Sequence, residues 1–574
     1  MDRSATSEPS PRQWSPRAFW IVATVAIGAV IAWTTTPMFR LLQLEPDDYR
    51  YLHLVQRLDR DFVANVRAAT IVENRWDHLW WMRTPERVAF FRPTVIASYW
   101  LDAKLWGDAV LLGLHVSNLA IYFTLCLLAT AVLVGWFGHT WPALLASVMF
   151  TAHPSHSELI WYIAGRTDSI AGVLFLAALA LHQRAALRPT ARVLCPILYA
   201  MALLTKEWAA CLPIVCFLHD WVLAPPRGSI VATLRRNATL YGGYVLSGAL
   251  VFGLRLMVMR GQEAALVYPY FVSPLRPDFF EHLLLQLRSY GPNLLIGSIS
   301  PTLVPRDFIR QSISQSGLAI SAVAAVACAL VAMRDRRAIV LLAIAIGAWL
   351  PASVVYLSER YLLLPSLAMA GVCVSLVSLI PFRSARAIAG LLIVLWTGWF
   401  GQALYQRHEL VSRPRPVHMM TQRLLDVRER LRDVDAIFVA NLPGMWLDAQ
   451  FAADQVRWLL ADPSLRVCVL NVVSPLTARS LQPDVALGTG GEIVLRSNIG
   501  VIRRARLTDD PFNAFERAPF QPGDVVAVPT VGIEVRIDGI EDGEVVMATV
   551  LDKTGARSPI VLDVSRPDPI IKPK

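Results

Sequence analysis

Apolar residues fill the first two-thirds of the chain in long blocks, broken by short polar stretches. The blocks fall, within a few residues, at 18–39, 109–137, 141–153, 167–184, 193–205, 208–224, 237–259, 317–333, 338–357, 361–380 and 387–405. A straight helix crossing the hydrocarbon core needs ~20 apolar residues. The pattern therefore predicts a polytopic α-helical membrane protein of about eleven spans. The first block is too long for a signal-peptide core and has no convincing small-residue cleavage site, so it is expected as an uncleaved span. Blocks 193–205 and 208–224 are short and separated only by Thr205-Lys206-Glu207, which predicts a hairpin with Lys206 and Glu207 at its tip. The segment 279–303, interrupted by Gly291-Pro292, is expected as an outer-side or re-entrant helix.

Two stretches remain for water. One is a loop over about 40–108, too long for a simple connector. The other is a tail beginning near 408. It opens amphipathically at 420–431 and continues with a strand–helix–strand pattern at 436–441, 449–460 and 466–473. Strand-like runs follow at 492–496, 525–528, 535–537 and 544–551, with Gly, Asp and Pro turns between them. The expected organisation is an N-terminus at 1–17, a transmembrane domain at 18–407 that includes the large loop, and a small α/β domain at 408–574 with a β-rich end. No internal repeat is visible.

Composition agrees with a membrane protein. Of 574 residues, 55% are hydrophobic and 17% charged, and the mean hydropathy is +0.45. Soluble domains carry about a quarter charged residues. The net charge of +10 invites a nucleic-acid reading, but its placement argues against one. Arg3, Arg12 and Arg17 precede the first block, and Arg184, Arg188 and Arg192 separate later ones. The same holds for Arg227, Arg235 and Arg236, and for Arg334, Arg336 and Arg337. Such clusters in short connections are topology signals facing the cytoplasm. They predict an inner (plasma) membrane protein with a cytoplasmic N-terminus and an extracytoplasmic tail. Six of the seven cysteines lie in apolar blocks and Cys468 stands alone, so neither a disulfide framework nor a zinc site is expected.

With that topology the polar residues near spans gather on the outer side. The large loop opens with Glu45-Pro46-Asp47-Asp48-Tyr49-Arg50 and contains Phe90-Phe91-Arg92-Pro93-Thr94. The next outer turn holds His153, His156, Glu158, Arg166 and Asp168; later ones hold Lys206-Glu207 and Glu359-Arg360-Tyr361. Ionisable groups at a membrane boundary point to a functional site. Adjacent carboxylates can deprotonate a hydroxyl or hold a cation, and several Arg and Lys suit an anionic lipid phosphate. Each group also has a plainer reading. Asp47-Asp48 fits a solvated turn, the charge pairs could satisfy one another, and the two histidines lack a third partner for zinc.

The order and wording of these motifs carry a family resemblance. Asp-Asp-Tyr at 47–49 is followed by Phe-Phe-Arg-Pro-Thr at 90–94 and His-Val-Ser-Asn-Leu at 115–119. Next come His-Pro-Ser-His-Ser-Glu and Trp-Tyr-Ile-Ala-Gly-Arg-Thr-Asp within 153–168. Leu-Leu-Thr-Lys-Glu-Trp at 203–208, Leu-His-Asp-Trp at 218–221 and Ser-Glu-Arg-Tyr-Leu-Leu-Leu-Pro-Ser at 358–366 complete the series. Together they resemble the membrane part of the transmembrane and tetratricopeptide-repeat O-mannosyltransferases and their bacterial relatives, of the GT-C class of glycosyltransferases, over about residues 40–370. The resemblance implies an enzyme that moves a sugar, mannose being one candidate, from a polyprenyl-phosphate carrier to an acceptor hydroxyl on the extracytoplasmic side with inversion. By the same resemblance Asp47 or Asp48 is the base. Arg92, His153, His156, Glu158, Arg166, Asp168, Lys206, Glu207, Glu359, Arg360 and Tyr361 would organise the donor phosphate and its loops. No protein metal site is assigned, and a requirement for a divalent metal is left open. The tail shows no 34-residue repeat, which leaves a protein or an envelope glycan as acceptor. The competing expectation is a transporter or flippase for a lipid-linked anionic glycan; the outer placement of the polar groups and the lack of a repeat argue against it.

Overall fold

The computed structural model describes residues 13–45, 48–60, 71–75, 79–81, 87–184, 189–225, 229–260, 274–275, 277, 279–297, 316–354, 358–413, 418–431, 434–443, 446–462, 464–473, 484–488, 491–497, 501, 520–541, 544–555, 559–566 and 568–571. Asp47 lies outside the described residues. So do 1–12 of the expected N-terminus, Arg188, Arg227, the 298–303 end of the expected outer-side helix, and 355–357 of the 338–357 block.

The membrane part begins with α1 (Pro16–Thr35), which starts cleanly because Ser15 caps the Ala18 amide and Pro16 fills the first turn. The stretch after α1 contributes α2 (Asp48–Arg60), a hairpin of β1 (Ile71–Arg75) and β2 (Arg87–Phe91), and α3 (Pro93–Trp106). The bundle continues with α4 (Val110–Phe137), α5 (Trp141–Thr151), α6 (Ser157–Trp161), α7 (Arg166–His182), α8 (Pro189–Leu203), α9 (Leu212–Val222), α10 (Ile230–Arg236) and α11 (Ala238–Met259). It closes with α12 (Phe279–Leu295), α13 (Ser316–Arg334), α14 (Arg336–Ala352), α15 (Leu363–Ser378) and α16 (Arg383–Val411).

The chain is thus a polytopic helical membrane protein, but the expected count of about eleven spans is not reached by length. Among the described residues seven helical segments are long and apolar enough to cross a membrane. The others are cut short. The 141–153 block forms only the 11-residue α5, which at ~1.5 Å per residue reaches about half the hydrocarbon thickness. The 193–205 block forms the 15-residue α8. The 208–224 block opens as a 3₁₀ turn, Glu207–Cys211, before α9. Helix α12 turns His282, Gln286, Ser289 and Asn293 inward and leaves Phe280 and Leu284 exposed. A polar stripe at that spacing must face protein wherever lipid surrounds the helix.

Packing in the bundle is close. Helix α7 lies against α4 and α8, and α14 against α15. At the crossing of α7 with α4 and α15, a Cβ on Gly172 would sit 2.8 Å from Leu125 and 3.0 Å from Leu363. The bundle has its own apolar core, including Phe19, Tyr122, Phe150, Phe175 and Phe400.

The tail folds as α17 (Met419–Val427), then β3 (Ala436–Ala440), β4 (Leu442–Pro443), α18 (Trp446–Leu459), β5 (Arg466–Val469) and β6 (Val472–Val473). Strands β7 (Asp484–Leu487), β8 (Ile493–Arg496), β9 (Val525–Val528), β10 (Ile533–Glu541), β11 (Glu544–Asp552), β12 (Pro559–Asp563) and β13 (Ile570–Ile571) follow. One sheet has the order β13-β12-β3-β5, with β3 parallel to both neighbours; the other is antiparallel, β7-β8-β11-β10-β9. The strand–helix–strand start and the β-rich end match expectation; β1, β2, β4, β7, β12 and β13 were not anticipated. A second apolar core joins the α2–α3 stretch (Tyr49, Leu52, Val55, Trp80, Tyr99) to the tail (Met420, Phe438, Val456, Leu470).

Candidate functional site

The site is built where helices begin or end. A 3₁₀ turn at Ile163–Gly165 precedes α7, and another at Glu359–Leu362 precedes α15. Gly165 makes the first turn possible: a Cβ there would stand 2.5 Å from the Glu158 carbonyl oxygen. The chain therefore folds back tightly enough to set Glu158, Ala164 and Arg166 side by side.

The described site residues separate into three groups. The first is a charged and aromatic cluster. The Asp168 carboxylate accepts from Lys206 Nζ at 2.6 Å and Trp208 Nε1 at 3.0 Å, with Arg360 Nε at 3.6 Å. Lys206 stands 5.0 Å over the Tyr361 ring, and Arg360 lies 5.6 Å over Tyr162. Arg92 rests 4.3 Å over Phe90 and is in electrostatic reach of Glu207, Tyr51, Arg360 and Asp168. Its Nε is buried and makes no hydrogen bond to the described residues. Glu207 accepts from Arg255 at 3.1 Å. Burial would raise the Glu207 carboxyl, but Arg92 and Arg255 outweigh it and hold it below its ordinary value. Burial pushes the Lys206 ammonium down to about 8, with Asp168 opposing and Arg360 and Arg92 adding to the effect.

The second group anchors the α2–α3 stretch. Asp48, expected to face solvent, is instead fully buried. Its Oδ1 accepts from the Ala164 amide at 2.7 Å and Tyr99 Oη at 3.3 Å, and its Oδ2 from the Glu45 amide at 2.9 Å. The physical reason is that α2 packs against both α3 and α18, so most of its circumference is buried, Tyr49, Tyr51, Leu52 and Leu54 included. Arg166 is equally enclosed: it donates to Asp102 at 2.6 Å and to the Leu114 carbonyl at 3.1 Å, with Tyr99 stacked 4.6 Å away. Its fork is committed to α3 and α4.

The third group pins the turns together. Glu158 accepts from Ser358 Oγ at 2.8 Å and the Arg360 amide at 3.3 Å. Glu359 is buried against Arg407 Nη1 at 2.6 Å, and Arg407 also donates to the carbonyls of Pro154 and Gly297. His153 Nδ1 accepts from the Ser155 amide at 3.2 Å, so Nε2 carries the proton and donates to the Leu294 carbonyl at 2.9 Å. His156 lies 2.8 Å from both Tyr122 Oη and Ser366 Oγ. Both imidazoles have both nitrogens engaged, and among the described residues no three His, Cys, Asp or Glu side chains group as metal ligands.

Sequence reasoning gave no role to Tyr99, Asp102, Trp208, Arg255 or Arg407, each a partner of a residue it did name. Trp208 lay within the quoted Leu-Leu-Thr-Lys-Glu-Trp motif. Arg407 sits near the end of the last apolar block, where a buried cation would itself have been a signal.

With this geometry in view, the similarities of the chain can be placed. No family model matches it. Local similarity exists to a protein O-mannosyl-transferase of Caenorhabditis elegans, F38B6.6, 34% identical over 98 residues, or 16% of this chain and 14% of that protein. Protein O-mannosyl-transferase Tmtc2 of Drosophila melanogaster is 27% identical over 188 residues, 30% of this chain and 19% of that one. Human TMTC4 is 26% identical over 137 residues, 21% and 18% respectively. The chain spans between 14% and 19% of the length of these relatives. The resemblance read from the motifs is therefore matched by local similarity to three O-mannosyltransferases. Among solved structures, ArnT from Cupriavidus metallidurans superposes over 79% of this chain and 86% of its own, with a TM-score of 0.48 and 14% identity. The oligosaccharyltransferase of Archaeoglobus fulgidus covers 78% of this chain and 64% of its own, with a TM-score of 0.46 and 12% identity.

Proposed function

We propose that this chain is a GT-C-type membrane glycosyltransferase that moves a sugar, mannose being the first candidate, from a polyprenyl-phosphate carrier to a hydroxyl of a protein or envelope glycan. The observation that carries the reading is the convergence of Arg92, Lys206 and Arg360 around Asp168 and Glu207, lined by Tyr162, Trp208 and Tyr361. Among the described residues four cations, with Arg255 on Glu207 counted, stand against these two carboxylates, and that excess of positive charge suits an anionic group such as a lipid phosphodiester. The aromatic faces suit a sugar ring or an isoprenoid end as well as the cations.

Asp48 has its carboxylate committed to three donors, so the base of the Asp-Asp pair is assigned to Asp47. Asp47 takes the proton of the acceptor hydroxyl, whose oxygen forms the new bond to the anomeric carbon. The bond from that carbon to the phosphate oxygen breaks, and its electron pair leaves on the phosphate. Lys206, Arg360 and Arg92 stabilise that charge as it develops. One displacement inverts the anomeric centre, and a single base suffices, unlike the paired carboxylates of most glycosidases.

The reaction is assigned to the extracytoplasmic face of the inner membrane. In support, α7 begins at the cluster with Arg166 and ends at His182, shortly before Arg184, while α13 ends at Arg334. The arginines of the connections thus fall at helix ends away from the cluster, as positive-inside orientation requires. The reading is tested by binding of a short-chain polyprenyl phosphate to the full chain in nanodiscs. Arg360→Gln should weaken binding about 10-fold or more, as loss of one charge-assisted contact implies. Equal binding by wild type and variant would remove the cluster from the donor site.

A further inference from the structure

The tail is legible as more than an appendage, because it grips the helix that follows Asp47. Resting on the glycosyltransferase reading for its consequence but not for its geometry, we propose that the C-terminal α/β domain is a clamp that positions α2, with Asp454 as its pivot. Asp454, on α18, is 8% exposed. Its carboxylate meets Arg50 Nη1 at 3.2 Å and His53 Nε2 at 3.8 Å, both on α2, while Arg457 at 3.6 Å braces it from its own helix. One turn along α18, the Trp458 ring packs 5.4 Å from Tyr49, and its carbonyl receives Gln56 Nε2 at 3.5 Å. At the start of the same segment, Glu45 meets His418 at 3.6 Å.

A second contact shows what the domain holds. In open α/β sheets ligands usually sit beyond the carboxyl ends of parallel strands. Here Leu470, directly after β5, accepts from the Trp80 indole at 2.8 Å, and Trp80 is 1% exposed. The place where such a domain would take a ligand is filled by a side chain of the α2–α3 stretch. Helix α2 is thus held at three points. Asp48 fixes its start to the membrane turn, Asp59 fixes its end to Lys104 and Trp100, and α18 fixes its middle. Asp47 directly precedes α2 in sequence, so under the proposed function a clamp on α2 bears on the base. Loose placement of a catalytic group by an ångström costs rate out of proportion to stability.

Asp454 is therefore a positioning residue. The test uses the full chain in nanodiscs, with Asp454→Asn and Arg50→Gln as independent ways to loosen the same contact and Asp454→Glu as the conservative control. Amide exchange of α2 should accelerate about 10-fold or more in the first two while α7 and α15 stay protected. Transfer from a polyprenyl-phosphate mannose should lose kcat with donor KM unchanged, and Asp454→Glu should restore most of it. Unchanged α2 exchange in both variants overturns the clamp. So does a rise in acceptor KM at constant kcat, which would make α18 part of an acceptor surface. If wild-type protein transfers from no donor, the glycosyltransferase reading fails and the exchange result alone decides the clamp.

Discussion

Replacing Asp48 by Asn separates a structural carboxylate from a catalytic one. The side chain is 0% exposed and accepts from the Ala164 amide, Tyr99 and the Glu45 amide at 2.7, 3.3 and 2.9 Å. Asparagine keeps the shape but has one acceptor oxygen. Whichever way the amide turns, its NH₂ faces a backbone N–H, so at least one strong bond is lost and two donors are left opposed. Hydrogen bonds to a charged group contribute about 1.5–3 kcal/mol, and a buried unpaired donor costs about 1–3 kcal/mol. The substitution should therefore weaken the attachment of the α2–α3 stretch by about 3 kcal/mol. That is roughly a 100-fold rise in local opening. Hydrogen exchange at the Ala164 amide reads it directly, because that amide loses its acceptor. Asp47→Asn should leave the same amide protected. Protection at Ala164 unchanged by Asp48→Asn, together with lost transfer, would refute the reasoning and make Asp48 the base.

Gly165→Ala should distort the turn, since the added carbon meets the Glu158 carbonyl at 2.5 Å; a melting temperature lowered by several degrees, with faster exchange at Ala164, is the expected reading. His53 is held down to about 4 by burial despite Asp454, so the released form binds a proton first as pH falls. The grip of α18 on α2 is then full above about 6.5 and is lost progressively toward 4, by up to about 3 kcal/mol. In His53→Gln, exchange in α2 should lose that pH dependence. Lys206 is lowered to about 8, so binding of polyprenyl phosphate should weaken as pH rises through that value. Asp168→Asn, which removes the carboxylate that favours the charged form, should move the limb to lower pH in a binding titration.

The bundle was readable because lipid imposes one rule on a spanning helix, an uninterrupted apolar run, and α1, α4, α7, α11, α13, α15 and α16 follow it. The shorter blocks leave the span count unconfirmed because hydropathy reports what lipid or protein can bury, not how far a helix extends. Helix α5 is as apolar as a span yet stops after 11 residues at the turn holding His153 and His156. The site was legible as a set of motifs and not as a set of roles. Adjacent aspartates look alike in sequence, and nothing local announces that Asp48 meets Ala164 and Tyr99. Arg166 reads like a phosphate ligand until Asp102, 64 positions earlier, is seen beside it. The grip of the tail was invisible for the same reason: Asp454 lies 404 positions from Arg50, and nothing local announces the pair.

The central claim is tested most directly by transfer from radiolabelled polyprenyl-phosphate sugars in membranes carrying wild type or Asp47→Asn, with Ala164 protection measured in parallel. The account predicts labelled product from wild type alone, with inverted anomeric configuration and equal protection in both proteins. Equal transfer by wild type and Asp47→Asn would contradict it, as would lipid-linked sugar crossing the bilayer with no transfer to any acceptor.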